Sequence, residues 1–192
     1  MSDSTGPPAS PGSPAILDGA ELPPGYGTVN PFVAVRGPGG AAAFIDFLQR
    51  VLDGRETPPA RAVDADDLLI HAEVRIGAST VMLCDAKPHW SFTPALLQVY
   101  VRDVDAVVAR ARAEGAEVVT EPTPFHGHQR LARVQDPWSN LWWFFEYGED
   151  SVAPSQAPPT APTWRADPSA PPSYVHRTVD AALTTLREPE RP

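Results

Sequence analysis

The chain has 192 residues, with 24 Asp and Glu against 15 Lys and Arg, a formal net charge of −9. That balance excludes a nucleic-acid partner held through phosphate contacts, because such binding needs a basic face. One cysteine, Cys84, rules out a disulfide framework and suits a reducing compartment, and no apolar run nears the roughly 20 residues that a membrane-spanning helix needs.

The first residues, MSDSTGPPASPGSP, have neither the charged head nor the apolar middle of a signal peptide, so a cytoplasmic protein is expected. Of the 24 prolines, six fall in residues 1–27 and nine in 150–192. Proline at that density fixes φ and removes backbone donors without adding apolar surface. Residues 1–27 are therefore expected to be disordered and residues 28–149 to be the compact domain.

Within that domain, Val33 to Arg36 reads as a strand, followed by a glycine-rich turn. The helix that comes next has the stripe Phe44, Phe47, Leu48, Val51 and Leu52 and ends at Gly54. The turn RGPGG lacks both GxGxxG and a GK[ST] ending and is no phosphate loop. Extended segments follow at Arg61–Val63, LLIHAEVRI and TVMLCDA, the last two joined by Gly77-Ala78-Ser79. A link containing Trp90 leads to a second strand, Val99–Arg102. Its helix has Asp103 as N-cap, the stripe Val104, Val107, Val108 and Ala111, and a stop at Gly115. EVVT, RLARVQ and NLWWFFE are the remaining strands. The chain thus spells βαβββ twice, as modules 28–90 and 91–147. The tail, 150–192, is proline-rich except for a short amphipathic helix near 174–187, carried by Val175, Val179, Ala182, Leu183 and Leu186.

This repeat, with HAEVRIGASTVML, LLQVYVRDVDAVVARARAEGAEVV and ARVQDPWSNLWW, resembles the vicinal oxygen chelate superfamily of glyoxalases, extradiol dioxygenases and bleomycin-resistance proteins. Its PhnB-like branch is the nearest. The resemblance covers about residues 28–147 and implies an α+β fold in which two βαβββ modules form an eight-stranded mixed sheet curled into a cup. It also implies a homodimer, because members commonly complete or shield their cups by pairing.

DPWSN resembles the family's D-P-x-G-N turn, with Ser139 where glycine is usual, so a residue with a Cβ is expected at positive φ at a cost of roughly 1 kcal/mol. Beyond it, alternation puts Leu141, Trp143 and Phe145 on one strand face and Trp142, Phe144 and Glu146 on the other. Metal-dependent members hold a divalent ion with about four His or Glu side chains. Here the corresponding positions are Asn30 or Pro31, Met82 or Leu83, Leu96 or Gln98, and Trp143 in place of a glutamate. No metal and no cofactor are expected.

Two pairs of residues could still build a different site. His126 and His128 are two apart, which in a strand puts both rings on one face, and His71 and Glu73 share that spacing. The alternative for each is a solvated loop and a hydrogen-bonded sheet face. Arg130 is either an anion holder near the cup mouth or an exposed strand charge. Trp90 either gates the cavity or plugs the junction of the modules, and Cys84 is a buried structural thiol.

The leading reading is a metal-independent small-molecule-binding protein of bleomycin-resistance type. Its apolar cup is walled by Trp143, Phe145, Tyr100 and Trp90, with Gln98, Arg130 and His128 as polar anchors, and it takes an aromatic or apolar ligand. The other reading is an enzyme: a lyase or isomerase, either metal-free with His128 or Glu73 as base or with displaced metal ligands.

Overall fold

A computed structural model describes residues 16, 17, 19–148, 150, 151 and 169–189. The disorder expected for 1–27 concerns residues that largely lie outside that set, as do 152–168 of the proline-rich tail. From Gly19 onward the described N-terminal segment is tied to the first module. Thr80 Oγ1 donates to the Gly25 carbonyl at 2.6 Å, and Tyr26 Oη donates to Glu73 at 2.5 Å.

The α+β architecture with two βαβββ modules is as expected. In the first, β1 (Phe32–Val35), α1 (Gly40–Leu52), β2 (Arg55–Glu56), β3 (Ala62–Val63), β4 (Leu69–Ile76) and β5 (Ser79–Asp85) follow in order. The second has β6 (Leu96–Val101), α2 (Val104–Ala113), β7 (Glu117–Pro124), β8 (Arg130–Gln135) and β9 (Leu141–Glu146). The sheet orders β1-β5-β4-β2 and β6-β9-β8-β7 are equivalent, and in each the first strand runs parallel to the last. The strands form two separate sheets, of five and four strands, rather than one continuous sheet of eight. The extra strand arises because the short turn Pro58–Ala60 divides one segment into β2 and β3, both paired with β4. Proline has no N–H to continue the ladder there.

Long-range contacts set the helix ends. The α1 start has no side-chain cap of its own, and Asp85 at the end of β5 accepts from Ala41 N–H at 2.7 Å instead. At its other end Asp53, not Gly54, takes the left-handed conformation, with φ 54°. Gly54 is needed for closeness, since a Cβ there would lie 2.8 Å from Val74 Cγ1 and 2.9 Å from the Leu48 carbonyl oxygen. Asp103 caps α2 by accepting from Ala106 N–H at 2.9 Å.

A single core joins the modules. It gathers Val33, Val35, Phe44, Phe47, Leu48, Leu83 and Val74 from the first with Val104, Val108, Val134, Trp142 and Phe144 from the second. Trp138, from the DPWSN turn, is the bridging side chain. Its ring meets Phe44 and Phe47 edge-on at 5.2 and 5.6 Å, and its indole N–H donates to the Pro38 carbonyl at 3.0 Å. Burying an aromatic ring on this scale contributes several kcal/mol, about 3 to 5 if truncated to alanine. Alternation then points the other face of each sheet away from that core.

Candidate ligand-binding face

The turn ahead of β9 fixes the phase of the WW pair. Ser139 has φ 65°, the left-handed conformation expected where relatives place glycine. Asp136, almost wholly buried, accepts from the backbone N–H groups of Trp138 and Asn140 at 2.9 and 2.8 Å, from the Asn140 amide at 3.0 Å and from the Trp142 indole at 2.8 Å. Burial nevertheless dominates and pushes its carboxyl up to about 6. Trp142 is thereby pinned on the core side, and Trp143 falls on the other.

On that outer face the strands align in rows. Gln98 lies beside Trp143, Trp143 beside Arg133, and Arg133 beside Thr120; the next row places Tyr100, Phe145 and Leu131 side by side. The Tyr100 and Phe145 rings are 6.0 Å apart, and Phe125 and Tyr147 close on them at 5.6 and 5.8 Å. Leu96 and Tyr100 are 53% and 58% exposed, large apolar groups with solvent in front of them.

The structure therefore brings Gln98, Tyr100, Trp143 and Phe145 together on one surface. The other three residues named from sequence are elsewhere. Arg130 lies on the core side of β8, where its guanidinium donates to Asp105 at 2.6 Å and to Glu146 at 3.3 Å. Asp105 and Glu146 hold it as a cation, above an already high value. His128 sits with His126 in a short 3-10 turn, at φ 59° and exposed, so the strand geometry that would align the two rings is absent. Trp90 is in the link between modules, 43% exposed, and its carbonyl accepts from Arg36 at 2.8 Å. Sequence reasoning passed over Arg133, whose signal is its cross-strand register with Trp143.

The first sheet's outer face is more polar. Glu73, nearly buried, accepts from Tyr26 Oη on one oxygen and faces His71 Nε2 at 3.2 Å with the other. The Tyr26 hydrogen bond, helped by His71, holds Glu73 below the usual carboxylate range, which makes it a weak base. Cys84 is buried, and burial raises its thiol further, consistent with a structural role.

A sequence model of the Glyoxalase/Bleomycin resistance protein/Dioxygenase superfamily matches residues 34–144. The chain belongs to this superfamily. An uncharacterized protein of Mycobacterium bovis is 35% identical over 113 residues, covering 53% of this chain and 73% of the relative. A counterpart in Mycobacterium tuberculosis is also 35% identical, with 65% of its length covered. Among solved structures, TioX from Micromonospora sp. ML1 superposes with a TM-score of 0.48 at 24% identity, covering 65% of this chain and 97% of that one. The fosfomycin resistance protein FosX of Listeria monocytogenes has a TM-score of 0.48 at 15% identity, covering 64% and 94%.

The positions at which metal-dependent members of the superfamily place ligands do not fit an ion here. Asn30 spends its side chain on Gly27, donating to the carbonyl at 2.7 Å and accepting from the N–H at 2.9 Å. Met82, Leu96 or Gln98, and Trp143 supply a thioether, an alkyl chain or an amide, and an indole, a set without the imidazole and carboxylate donors that hard or borderline divalent ions require. Among the described residues one acidic group, Asp103, Asp105 and Glu146, is close enough to share an ion, but Arg130 already pairs with two of the three, Asp105 and Glu146.

Proposed function

We propose that this superfamily member is a small-molecule-binding protein that works without a metal or cofactor and takes an apolar, aromatic ligand on the outer face of its second sheet. The observation that carries the reading is the row of Trp143 and Gln98 beside the row of Tyr100 and Phe145. Three aromatic rings and one amide lie on a surface that no helix-side packing requires. A flat ligand gains buried area and ring contacts there, while an amide fixes its orientation. Tryptophan at the usual glutamate position replaces a charged ligand with a stacking wall. The PhnB-like character of the motifs and a cytoplasmic location go with this reading.

A second copy of the chain completes the cup. Each sheet turns its outer face away from the shared core, and the first sheet's outer face exposes Phe32 at 54% while the second exposes Leu96 and Tyr100. Surfaces of this kind gain from pairing.

A fluorescence-quenching screen of flat hydrophobic compounds tests the proposal. At least one compound quenches the wild-type tryptophans saturably, and Trp143→Ala abolishes it. No quenching by any compound contradicts the reading, as does about one equivalent of Zn, Ni, Mn or Fe retained per chain and required for binding. Sedimentation at micromolar concentration yields a dimer; a monomer contradicts the completed cup.

A further inference from the structure

Arg133 is the anomalous group on the outer face of the second sheet. It is 6% exposed, and its Nε, also buried, has no hydrogen-bond partner among the described residues. Its other contacts are neutral. One terminal nitrogen donates to the Val175 carbonyl at 2.9 Å and more weakly to Thr120 Oγ1 at 3.3 Å, and the guanidinium carbon lies 5.3 Å from the centre of the Trp143 ring. No carboxylate of the described residues pairs with it. Burial alone pulls its pKa down to about 10, still fully charged at neutral pH. A buried guanidinium without a counter-charge is costly, and proteins keep such groups paired or keep them for an anion.

Helix α3 (Tyr174–Thr185) covers this group and is weakly seated. It packs on its own chain's β7 through Thr178 Oγ1, 2.7 Å from Thr120 Oγ1, and through Tyr174 Oη, which accepts from Glu121 N–H at 2.9 Å. Ala182 is its one buried residue, while Tyr174 and Leu183 are 40% and 46% exposed. A helix held by a few polar contacts and little apolar area opens at small cost in free energy.

We propose that Arg133 is the anion anchor of the ligand face and that α3 is its removable cover. The ligand is then a flat aromatic carboxylate, whose carboxylate replaces the Val175 carbonyl on Arg133 while its ring lies against Trp143. This deepens the binding reading above and rests on it. Gln98, in the same row beyond Trp143, meets the far end of the ring system. At that terminal nitrogen the carboxylate makes a charge-assisted hydrogen bond and supplies the counter-charge that a neutral carbonyl cannot.

The test compares 2-naphthoate with the uncharged 2-naphthamide by tryptophan quenching on the full chain. Wild-type protein binds naphthoate at least about tenfold more tightly, the difference that charge-assisted hydrogen bonds supply. Arg133→Gln removes that preference by bringing naphthoate down to the affinity of naphthamide, while Arg133→Lys keeps part of it. Ala182→Glu, which puts a charge at the buried point of α3, tightens naphthoate severalfold. Should the Arg133 variants fail to fold, hydrogen exchange on the wild type carries the test: naphthoate accelerates exchange of the α3 amides and naphthamide does not. Equal affinity for the two compounds overturns the anchor while leaving the binding reading intact. Unchanged or slower α3 exchange with naphthoate overturns the cover. Failure of both compounds to bind wild type and Ala182→Glu alike sinks the inference and the binding reading together.

Discussion

The two sides of the second sheet are made from the same strands and have opposite chemistry. On the core side the charged side chains of the strands and of the turn before β9 are paired or hydrogen-bonded. Asp136 collects its N–H donors, Glu146 accepts from Val104 N–H at 2.9 Å, and Arg130 is shared between Asp105 and Glu146. On the outer side aromatic rings face solvent and Arg133 lacks a counter-charge among the described residues. A fold needs only one satisfied side, so the difference teaches where stability ends and recognition begins. The first sheet supplies a control, because its outer face also bears a buried charge, Glu73, but the chain's own Tyr26 and His71 satisfy it.

The neighbouring tryptophans should show the largest effect. Trp142→Ala leaves a cavity beside Phe44 and strips Asp136 of a donor, costing about 3–5 kcal/mol in denaturant unfolding. Trp143→Ala costs about 1–2 kcal/mol, in keeping with its half-buried ring, and removes ligand quenching. Equal losses would erase the distinction between the two sides.

Asp136 sharpens it next. Its folded value near 6 is above the unfolded value of 3.8, so its contribution favours folding fully below pH 4 and is lost as pH rises through about 6, a change of about 3 kcal/mol. Carbon-13 titration of its carboxyl should show that midpoint; one below 4 would mean that the four donors outweigh burial.

Tyr26→Phe tests the control. Losing the leading cause of its lowered value, Glu73 titrates higher, and stability in denaturant unfolding falls by less than for Trp142→Ala. An unmoved Glu73 in the same NMR experiment would show that the tyrosine contact is not what satisfies it. The smallest effect is Asp105→Asn at the solvent-screened Arg130 pair, a stability change near the limit of detection with ligand quenching unaltered. Weakened quenching in that variant would put Arg130 back into the ligand site.

Much of this contrast was legible in the chain. The repeated helix stripes, the Asp103 cap and the opposite facing of Trp142 and Trp143 follow from local periodicity and capping chemistry, and the positive φ of Ser139 from the resemblance of DPWSN to the family's turn. What escaped was set by register and distance. Arg130 and Arg133, three apart in one strand, occupy opposite faces, and only the pairing of β8 with β9 tells which accompanies Trp143. The HGH segment folds as a 3-10 turn with His128 at positive φ, in line with the solvated-loop alternative and not with the strand that would align its rings. Asp85 caps a helix 44 residues away, and the seat of α3 rests on single contacts across the fold. The Trp138 bridge had a faint signal, an indole inside a turn where small or polar residues are usual.

The most direct test of the account is residue-resolved. Titrating isotope-labelled wild-type protein with 2-naphthoate, the account predicts side-chain shift changes that alternate along two strands. Gln98 and Tyr100 on β6 and Trp143 and Phe145 on β9 move, and Val99, Trp142 and Phe144 stay still. Perturbations that ignore this alternation, or that fall on Trp90 and the first sheet alone, would contradict it.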